Sequence, residues 1–311
     1  MSPPAVSVVV ATHDRPARLA RLLEALRAQD LAEARFEVVV VDDGSGPETA
    51  ARLHAAAGVL DLRVVRHERA RGRGAARNAG WRAAGAPLIA FTDDDCVPAP
   101  GWLAAGLAAH RRGPKTFVQG PTTPEPGEAE GLWVRTQRIE ALGPWYETCN
   151  IFYPRELLER LGGFADLGTA WGGEDTDLAW RALEAGWPAR WESTALVHHA
   201  VDHVGARGQL RGTARLAVMA RLLAQYPPIR RTLVRGIFYN TEHYLLVRSL
   251  VALALPRPVR RFLLVRHLVE LVARARDSGA GPWLVPYLLA LDTAELAVLV
   301  RAGIRHRTLI L

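Results

Sequence analysis

Cysteine is nearly missing from this chain: two occur in 311 residues, Cys96 and Cys149. That scarcity argues against a disulfide scaffold and against a cysteine-based zinc site, and it suits a reducing cytosol. Lysine is scarcer still, with Lys115 alone, so the basic character rests almost wholly on arginine. No run of about 18 uninterrupted apolar residues occurs, and no membrane-spanning helix is predicted. The N-terminus lacks a basic region leading a long apolar core. It runs through Pro3 and Pro4 straight into Val6-Ser-Val-Val-Val-Ala11, which reads as a first strand and not as a signal peptide. What is present is apolar content of 49%, ample for a packed core in one large domain or two smaller ones.

The net charge of +7 is unevenly spread. Residues 201–311 hold 17 arginines against 6 acids, whereas the first 200 residues carry 22 basic groups against 26 acids. A basic tail of this kind meets nucleic acid, an anionic membrane surface or simply water. The front of the chain is mildly acidic and would repel phosphates unless a cation intervened.

Hydrophobic periodicity alternates between strand and helix from the start. Val6–Ala11, Phe36–Val41, Leu62–Arg66 and Leu88–Phe91 read as strands, Thr148–Tyr153 and Ala195–His199 as later ones. Arg15–Ala28, Glu48–Ala57, Ala75–Ala84, Pro154–Leu161 and Asp175–Ala185 read as helices. Repeated strand–helix units imply an α/β fold, with a mainly parallel sheet covered on both faces. Residues 121–131, rich in Pro, Gly and Glu, are expected to form a mobile loop. From about Gly208 the pattern is helical nearly to the end, with breaks at Pro227-Pro228, Pro256-Arg257-Pro258 and the 278–282 segment. Domains are therefore expected over 1–205 and 206–311.

Acidic residues gather where strands end. Asp93, Asp94 and Asp95 follow the Leu88–Phe91 run after Thr92, and three adjacent like charges repel unless a cation binds there. In an open parallel sheet, ligands sit at the carboxyl ends of strands. Asp42 and Asp43 close the second strand, although Asp-Gly-Ser is also ordinary turn chemistry. Gly72 and Gly74, within Arg71-Gly-Arg-Gly-Ala-Ala-Arg-Asn78, would let the backbone approach a phosphate. Glu174 and Asp175 follow a Gly-Gly turn and precede a helix, where a carboxylate serves either as a base or as a helix cap. His198 and His199 end the last strand on opposite faces.

Six segments in this order resemble family 2 glycosyltransferases with the GT-A nucleotide-diphospho-sugar transferase fold, a Rossmann-like mixed sheet with helices on both faces. They are Val6–Arg15, Val40-Val-Asp-Asp-Gly-Ser45, Gly74-Ala-Ala-Arg-Asn78, Asp93-Asp-Asp95 as a DxD motif, Gly162-Gly-Phe164 and Gly173-Glu-Asp175, spanning residues 5–200. The resemblance implies transfer of a sugar, with inversion, from a UDP-, GDP- or dTDP-linked donor to a hydroxyl of a saccharide, lipid-linked saccharide or small molecule. It also implies a divalent cation, Mn2+ or Mg2+, on Asp95 and Asp93, completed by a histidine, for which His199 is preferred over His198. Thr12, Arg15, Asp42, Asp43, Arg77, Asp93 and Asp94 would then bind the donor, with Arg77 opening toward its diphosphate. Asp175 would be the base, and Glu174, Gly173 and Trp171 would meet the acceptor. For Trp133 and Trp145, core packing is the expectation.

The tail from Arg257 to Val300 mixes arginines with leucines and valines at helical spacing, and Asp292 and Glu295 share one face of its last apolar stretch. It reads as a helical appendage, with peripheral attachment to an anionic leaflet as the sharper alternative. Together these imply a cytoplasmic location, with the inner face of the membrane kept open. Two rival readings remain: a nucleotidyltransferase using the same acidic metal site, and a basic nucleic-acid-binding protein. The first leaves Glu174-Asp175 without a role. The second lacks any reading motif, so no nucleic-acid partner is expected.

Overall fold

The computed structural model describes residues 3–31, 34–128, 131–168, 172–279 and 281–311. They form two compact units, one over 1–129 and 135–202, the other over 130–134 and 203–311.

In chain order the first unit carries β1 (Val6–Thr12), α1 (Pro16–Arg27), β2 (Phe36–Asp43), α2 (Pro47–Ala56), β3 (Leu62–His67), α3 (Arg73–Ala83), β4 (Leu88–Phe91), β5 (Cys96–Pro98), α4 (Trp102–Arg112), β6 (Phe117–Gln119) and β7 (Thr122–Pro124). After the two-residue strand β8 (Val134–Arg135) come β9 (Ile151–Pro154), α5 (Arg155–Leu161), α6 (Glu174–Glu184), β10 (Ala189–Trp191), β11 (Val197–His199) and the two-residue β12 (Asp202–His203). The main sheet has seven strands in the order β10-β6-β9-β4-β1-β2-β3. All are parallel except β9, which runs antiparallel to both β4 and β6. From β1 the chain moves outward to β2 and β3, then returns to place β4 on the other side of β1. The carboxyl ends of β1 and β4 therefore flank the switch point of the sheet, where an open α/β sheet leaves a crevice.

Two-residue alternation builds the core. Val6, Val8 and Val10 of β1 pack with the leucines of α1 and with Trp102 and Leu103 of α4. Val9, between them, faces the other way, with Trp81 of α3, Leu157 of α5 and Leu178 of α6. A strand covered on both faces is mostly apolar, which is why β1 lacks the polar alternation of a half-exposed strand; its buried Ser7 is satisfied by donating to Glu37 at 2.6 Å. Helix α1 shows the matching 3.6 period: Leu19, Leu22, Leu23 and Leu26 are buried, each contributing roughly 1.5–3 kcal/mol. Gly80 lets α3 approach, because a Cβ there would lie 2.4 Å from Cγ1 of Val9.

Three expectations change. The 121–131 segment is no simple loop, since β7 lies within it and pairs in parallel with β11; residues 129–130 lie outside the described ones. The stretch 148–150 is a 3-10 turn ahead of β9, not strand. The short strands β5, β6 and β10 went unread, because three-residue strands carry too few residues to display a period; the eleven-residue helix α4 was missed as well.

The helices of the second unit are α7 (Gly205–Gly212), α8 (Ala217–Gln225), α9 (Thr241–Ala252), α10 (Arg257–Asp277) and α11 (Val285–His306), with 3-10 turns at every junction but that of α9 with α10. Asn240 caps α9 by accepting from the His243 amide at 2.8 Å. Trp133 packs here against Tyr287, their rings tilted and 5.1 Å apart. Contrary to expectation, one segment, Pro282–His306, is long and apolar enough to cross a membrane by length and composition. Yet Asp292 of this segment is buried and paired with Arg274 of α10 through two hydrogen bonds, at 2.7 and 3.1 Å. A core helix of a soluble bundle passes the same length and composition test.

Candidate active site

The acids that close β4 lie at the switch point and differ in their partners. Asp94 is buried and accepts from the Thr12 hydroxyl at 2.8 Å and from Arg15 at 3.0 Å. Burial pushes its carboxyl up to about 6, against the pull of Arg15 and the Thr12 hydrogen bond. Asp95 accepts on Oδ2 from Arg15 at 2.8 Å and from Arg18 at 3.3 Å. Its other oxygen, Oδ1, is buried with no hydrogen-bond partner among the described residues. Thr12 and Arg15 thus face the acidic triplet itself.

Nε2 of His199 lies 3.5 Å from that orphaned oxygen. His199 Nδ1 lies 2.8 Å from the carbonyl of Ala200, and a carbonyl only accepts, so Nδ1 carries the proton. In neutral imidazole this leaves Nε2 a bare lone pair turned toward a bare carboxylate oxygen. Two acceptors facing each other across a buried gap require a cation or a proton between them. Carboxylate oxygen with imidazole nitrogen suits a divalent ion such as Mn2+, and the donor set fits. His198, on the opposite face, bonds to Thr123 Oγ1 at 3.0 Å. Register brings His199 here, because β11 pairs antiparallel with β5 and sets His199 opposite Cys96. Cys96 Sγ lies within reach of the same point; burial first, and then the charges of Asp93 and Asp95, push its thiol well above the ordinary value, so it would join a cation only by losing its proton.

Asp93 leads in the other direction. It accepts from Nη2 of Arg77 at 2.8 Å, and Nη1 of the same guanidinium donates to Glu174 at 3.0 Å. Burial alone would raise the Asp93 carboxyl, but the adjacent guanidinium more than offsets this and holds it below the ordinary value. Arg77 is only 4% exposed and bridges two acids from distant segments. Through it the acidic triplet after β4 is tied to the start of α6.

Helix α6 begins with Glu174, its N-cap being Gly173 in the left-handed region at φ 95°. Asp175 is therefore inside the first turn and is not the cap. Its carboxylate accepts from the Thr176 amide at 2.9 Å. Burial, then the neighbouring Glu174 charge, push Asp175 up to about 7, despite the opposing charge of Arg77. The turn ahead is braced: Asn78 donates to the Phe164 carbonyl at 2.7 Å and accepts from its amide at 2.9 Å. A Cβ on Gly163 would strike Oδ1 of Asn78 at 2.3 Å, so the Gly-Gly-Phe and Ala-Arg-Asn segments need each other. Between them opens a cavity of about 380 Å³, lined by Arg71, Arg73, Asn78, Phe164, Gly172 and Glu174 among others. Trp171 lies outside the described residues.

The acids closing β2 are differently placed. Asp42 accepts from the Ser45 amide at 2.8 Å and pairs with Arg66. Asp43 accepts from the amides of Arg71 and Gly72 at 2.9 Å each and bonds His67 at 2.6 Å. Burial would raise Asp43, but these donors hold it low. Residues missed in the sequence include Arg18, one helical turn beyond Arg15, and Asp202, which Arg18 and Arg135 both hold. Glu147 was missed as well: burial raises its carboxyl, and it adds to the charge felt by Asp175. The i, i+3 spacing of Arg15 and Arg18 was the signal that could have revealed Arg18.

The sequence model described as glycosyl transferase family 2 matches residues 7–168. The chain belongs to glycosyl transferase family 2. It is 33% identical over 224 residues to a validoxylamine A glucosyltransferase of Streptomyces hygroscopicus subsp. limoneus, covering 60% of this chain and 49% of that protein. A pre-mycofactocin glycosyltransferase of Mycobacterium tuberculosis is 32% identical over 221 residues, covering 66% and 44%. The chain thus spans about half the length of these curated relatives. Among solved structures, the Pyrobaculum calidifontis mannosyltransferase PcManGT in complex with GDP-Man and Mn2+ superposes with a TM-score of 0.59 at 21% identity, covering 99% of this chain and 88% of that one. S. aureus TarS 1-349 in complex with UDP-GlcNAc gives 0.55 at 17%, covering 97% and 92%. These likenesses establish the fold, which is that of the GT-A glycosyltransferases.

Proposed function

We propose that this glycosyltransferase moves a sugar from a nucleoside-diphosphate donor to an acceptor hydroxyl by single displacement with inversion, assisted by Mn2+ or Mg2+. The observation that carries the reading is the Arg77 bridge, which links Asp93 of the triplet to Glu174 beside Asp175. One site thereby combines a place for a diphosphate with a place for a base.

In this reading Asp175 accepts the acceptor's hydroxyl proton, the freed oxygen forms its bond to the anomeric carbon, and the bond to the diphosphate oxygen breaks. A carboxyl pushed up to about 7 is well matched to that task near neutral pH. Asp95 and His199 would hold the cation, with Asp93 beside them. When bound, the cation neutralises the charge developing on the departing diphosphate. Arg77 fixes Glu174, which orients the acceptor together with Gly173 and Trp171. Thr12, Arg15, Asp42, Asp43 and Asp94 line the donor side. The donor is a UDP-, GDP- or dTDP-sugar, and the acceptor a saccharide, a lipid-linked saccharide or a small molecule. Residues 1–205 would form the catalytic domain and 206–311 a helical one, in a cytoplasmic protein.

The test is a panel of nucleotide sugars assayed for nucleoside-diphosphate release with Mn2+, with Mg2+ and with a chelator. The anomeric configuration of the product is then read by NMR. Cation-dependent turnover of one donor with an inverted product is expected. No binding and no turnover of any donor in the presence of Mn2+ would overturn the assignment.

A further inference from the structure

The helical unit presents an apolar face that its own core does not use. Helix α10 buries His267, Leu271 and Ala275, while Phe262, Val265 and Val269 are 68%, 58% and 59% exposed. Positions 262, 265 and 269 follow i, i+3, i+7 spacing and form one stripe on the side away from the buried residues. Leu250 and Val251 at the end of α9, and Leu253 in the turn that feeds α10, are 54%, 59% and 58% exposed. Scattered apolar residues on a surface are ordinary, but so many large ones in 20 residues of chain mark a docking surface.

Charge identifies what docks. Arg261 and Arg266 flank the stripe, and Arg257 and Arg260 occupy the first turn of α10, which contains no acidic residue. None of these four arginines forms an ion pair among the described residues; the paired arginine of this helix is Arg274. The first turn is also the positive end of the helix dipole, so cations there are held at a cost until an anion arrives. A two-fold contact with a second copy would set the same uncompensated arginines against one another. A layer of lipid phosphates compensates all of them and accepts the apolar stripe. We propose that this face docks on an anionic bilayer surface. Phe262, Val265 and Val269 enter the boundary between headgroups and acyl chains, and the arginines bind the phosphates.

Co-sedimentation of the full chain tests this, using vesicles of phosphatidylcholine alone and of phosphatidylcholine with one part in three phosphatidylglycerol. Binding is expected on the anionic vesicles, weakening steeply with salt. It should fall about fivefold for each arginine removed in the series Arg257→Gln, Arg260→Gln, Arg261→Gln and Arg266→Gln. The triple variant Phe262→Ser, Val265→Ser, Val269→Ser should bind at least about tenfold more weakly, with its helix content and melting unchanged because these side chains are exposed. If the triple variant folds poorly, the arginine series decides alone. Equal binding to neutral and anionic vesicles, or unaltered binding by the variants, would overturn the proposal. So would an absence of vesicle binding together with a dimer that the triple variant dissolves, which would assign the face to a second copy. Resistance of the bound protein to alkaline carbonate would indicate a spanning segment and overturn it as well.

Discussion

The ends of β2 and β4 look alike in sequence and behave differently in space. Consecutive aspartates end β2 and follow β4 after Thr92, at the carboxyl edge of the same sheet. At β2, both oxygens of each aspartate are engaged: Asp42 by the Ser45 amide and Arg66, Asp43 by the backbone of Arg71 and Gly72 and by His67. At β4, Asp95 keeps one buried oxygen without a hydrogen-bond donor, 3.5 Å from Nε2 of His199. A carboxylate surrounded by backbone amides shapes a loop, whereas one left with a bare oxygen is built for something from outside. The difference lies in the neighbours, not in the aspartates.

Substitutions can break this comparison. The largest effect is expected downstream of the β4 end, at the base: Asp175→Asn should lower kcat by about 10²–10⁴-fold, measured as nucleoside-diphosphate release. A loss below tenfold would remove Asp175 from the chemistry. Its stability should move the other way. The folded-state carboxyl lies near 7, above its ordinary value of 3.8, so whatever stability it contributes is fully present only below pH 3.8 and is lost as pH rises through about 7. Asp175→Asn should therefore melt no lower than the parent at pH 8.

Next comes Arg77→Met, which strands the buried Glu174 and the partly exposed Asp93 without their shared guanidinium and should cost about 3 kcal/mol in urea unfolding. A change within experimental error would mean that the bridge does not hold the two acidic segments together. Asp95→Asn is expected to lower turnover by about 10²–10³-fold while leaving the urea midpoint nearly unchanged. Asp43→Asn should show the mirror image, losing about 1–3 kcal/mol of stability while kcat stays within about tenfold. If those two variants exchanged phenotypes, the contrast between the strand ends would be wrong. The smallest effect is the pH profile of kcat, which should rise about tenfold per unit toward a half-point near 7 as Asp175 ionises. A flat profile between about pH 5.5 and 8 would point to another base.

Much of the frame was legible from residue order. The apolar runs of β1, β2 and β4 and the leucine spacing of α1 announced themselves, because burial on two faces or on one stripe leaves a period in the chain. The short strands β5, β6, β7 and β10 left no such trace. At the site, the choice between Asp175 as helix cap and Asp175 as part of the first turn could not be read from a Gly-Gly-Glu-Asp string. It depended on Gly173 taking the left-handed conformation and becoming the cap itself. The bridge made by Arg77 could not be read either, because its two carboxylate partners stand 16 and 97 residues away in the chain.

By itself the sequence determined the α/β layering, the family, and the set of acidic groups from which a site would be drawn, since hydrophobic period and strand-end chemistry are local properties. Only the tertiary structure decided which acids are satisfied and which are left bare, which of two adjacent histidines faces Asp95, and which side of α10 remains in water. Those outcomes depend on donors and neighbours delivered by strand register and helix packing. A side chain's free lone pair is a property of its surroundings, and the surroundings come from elsewhere in the chain.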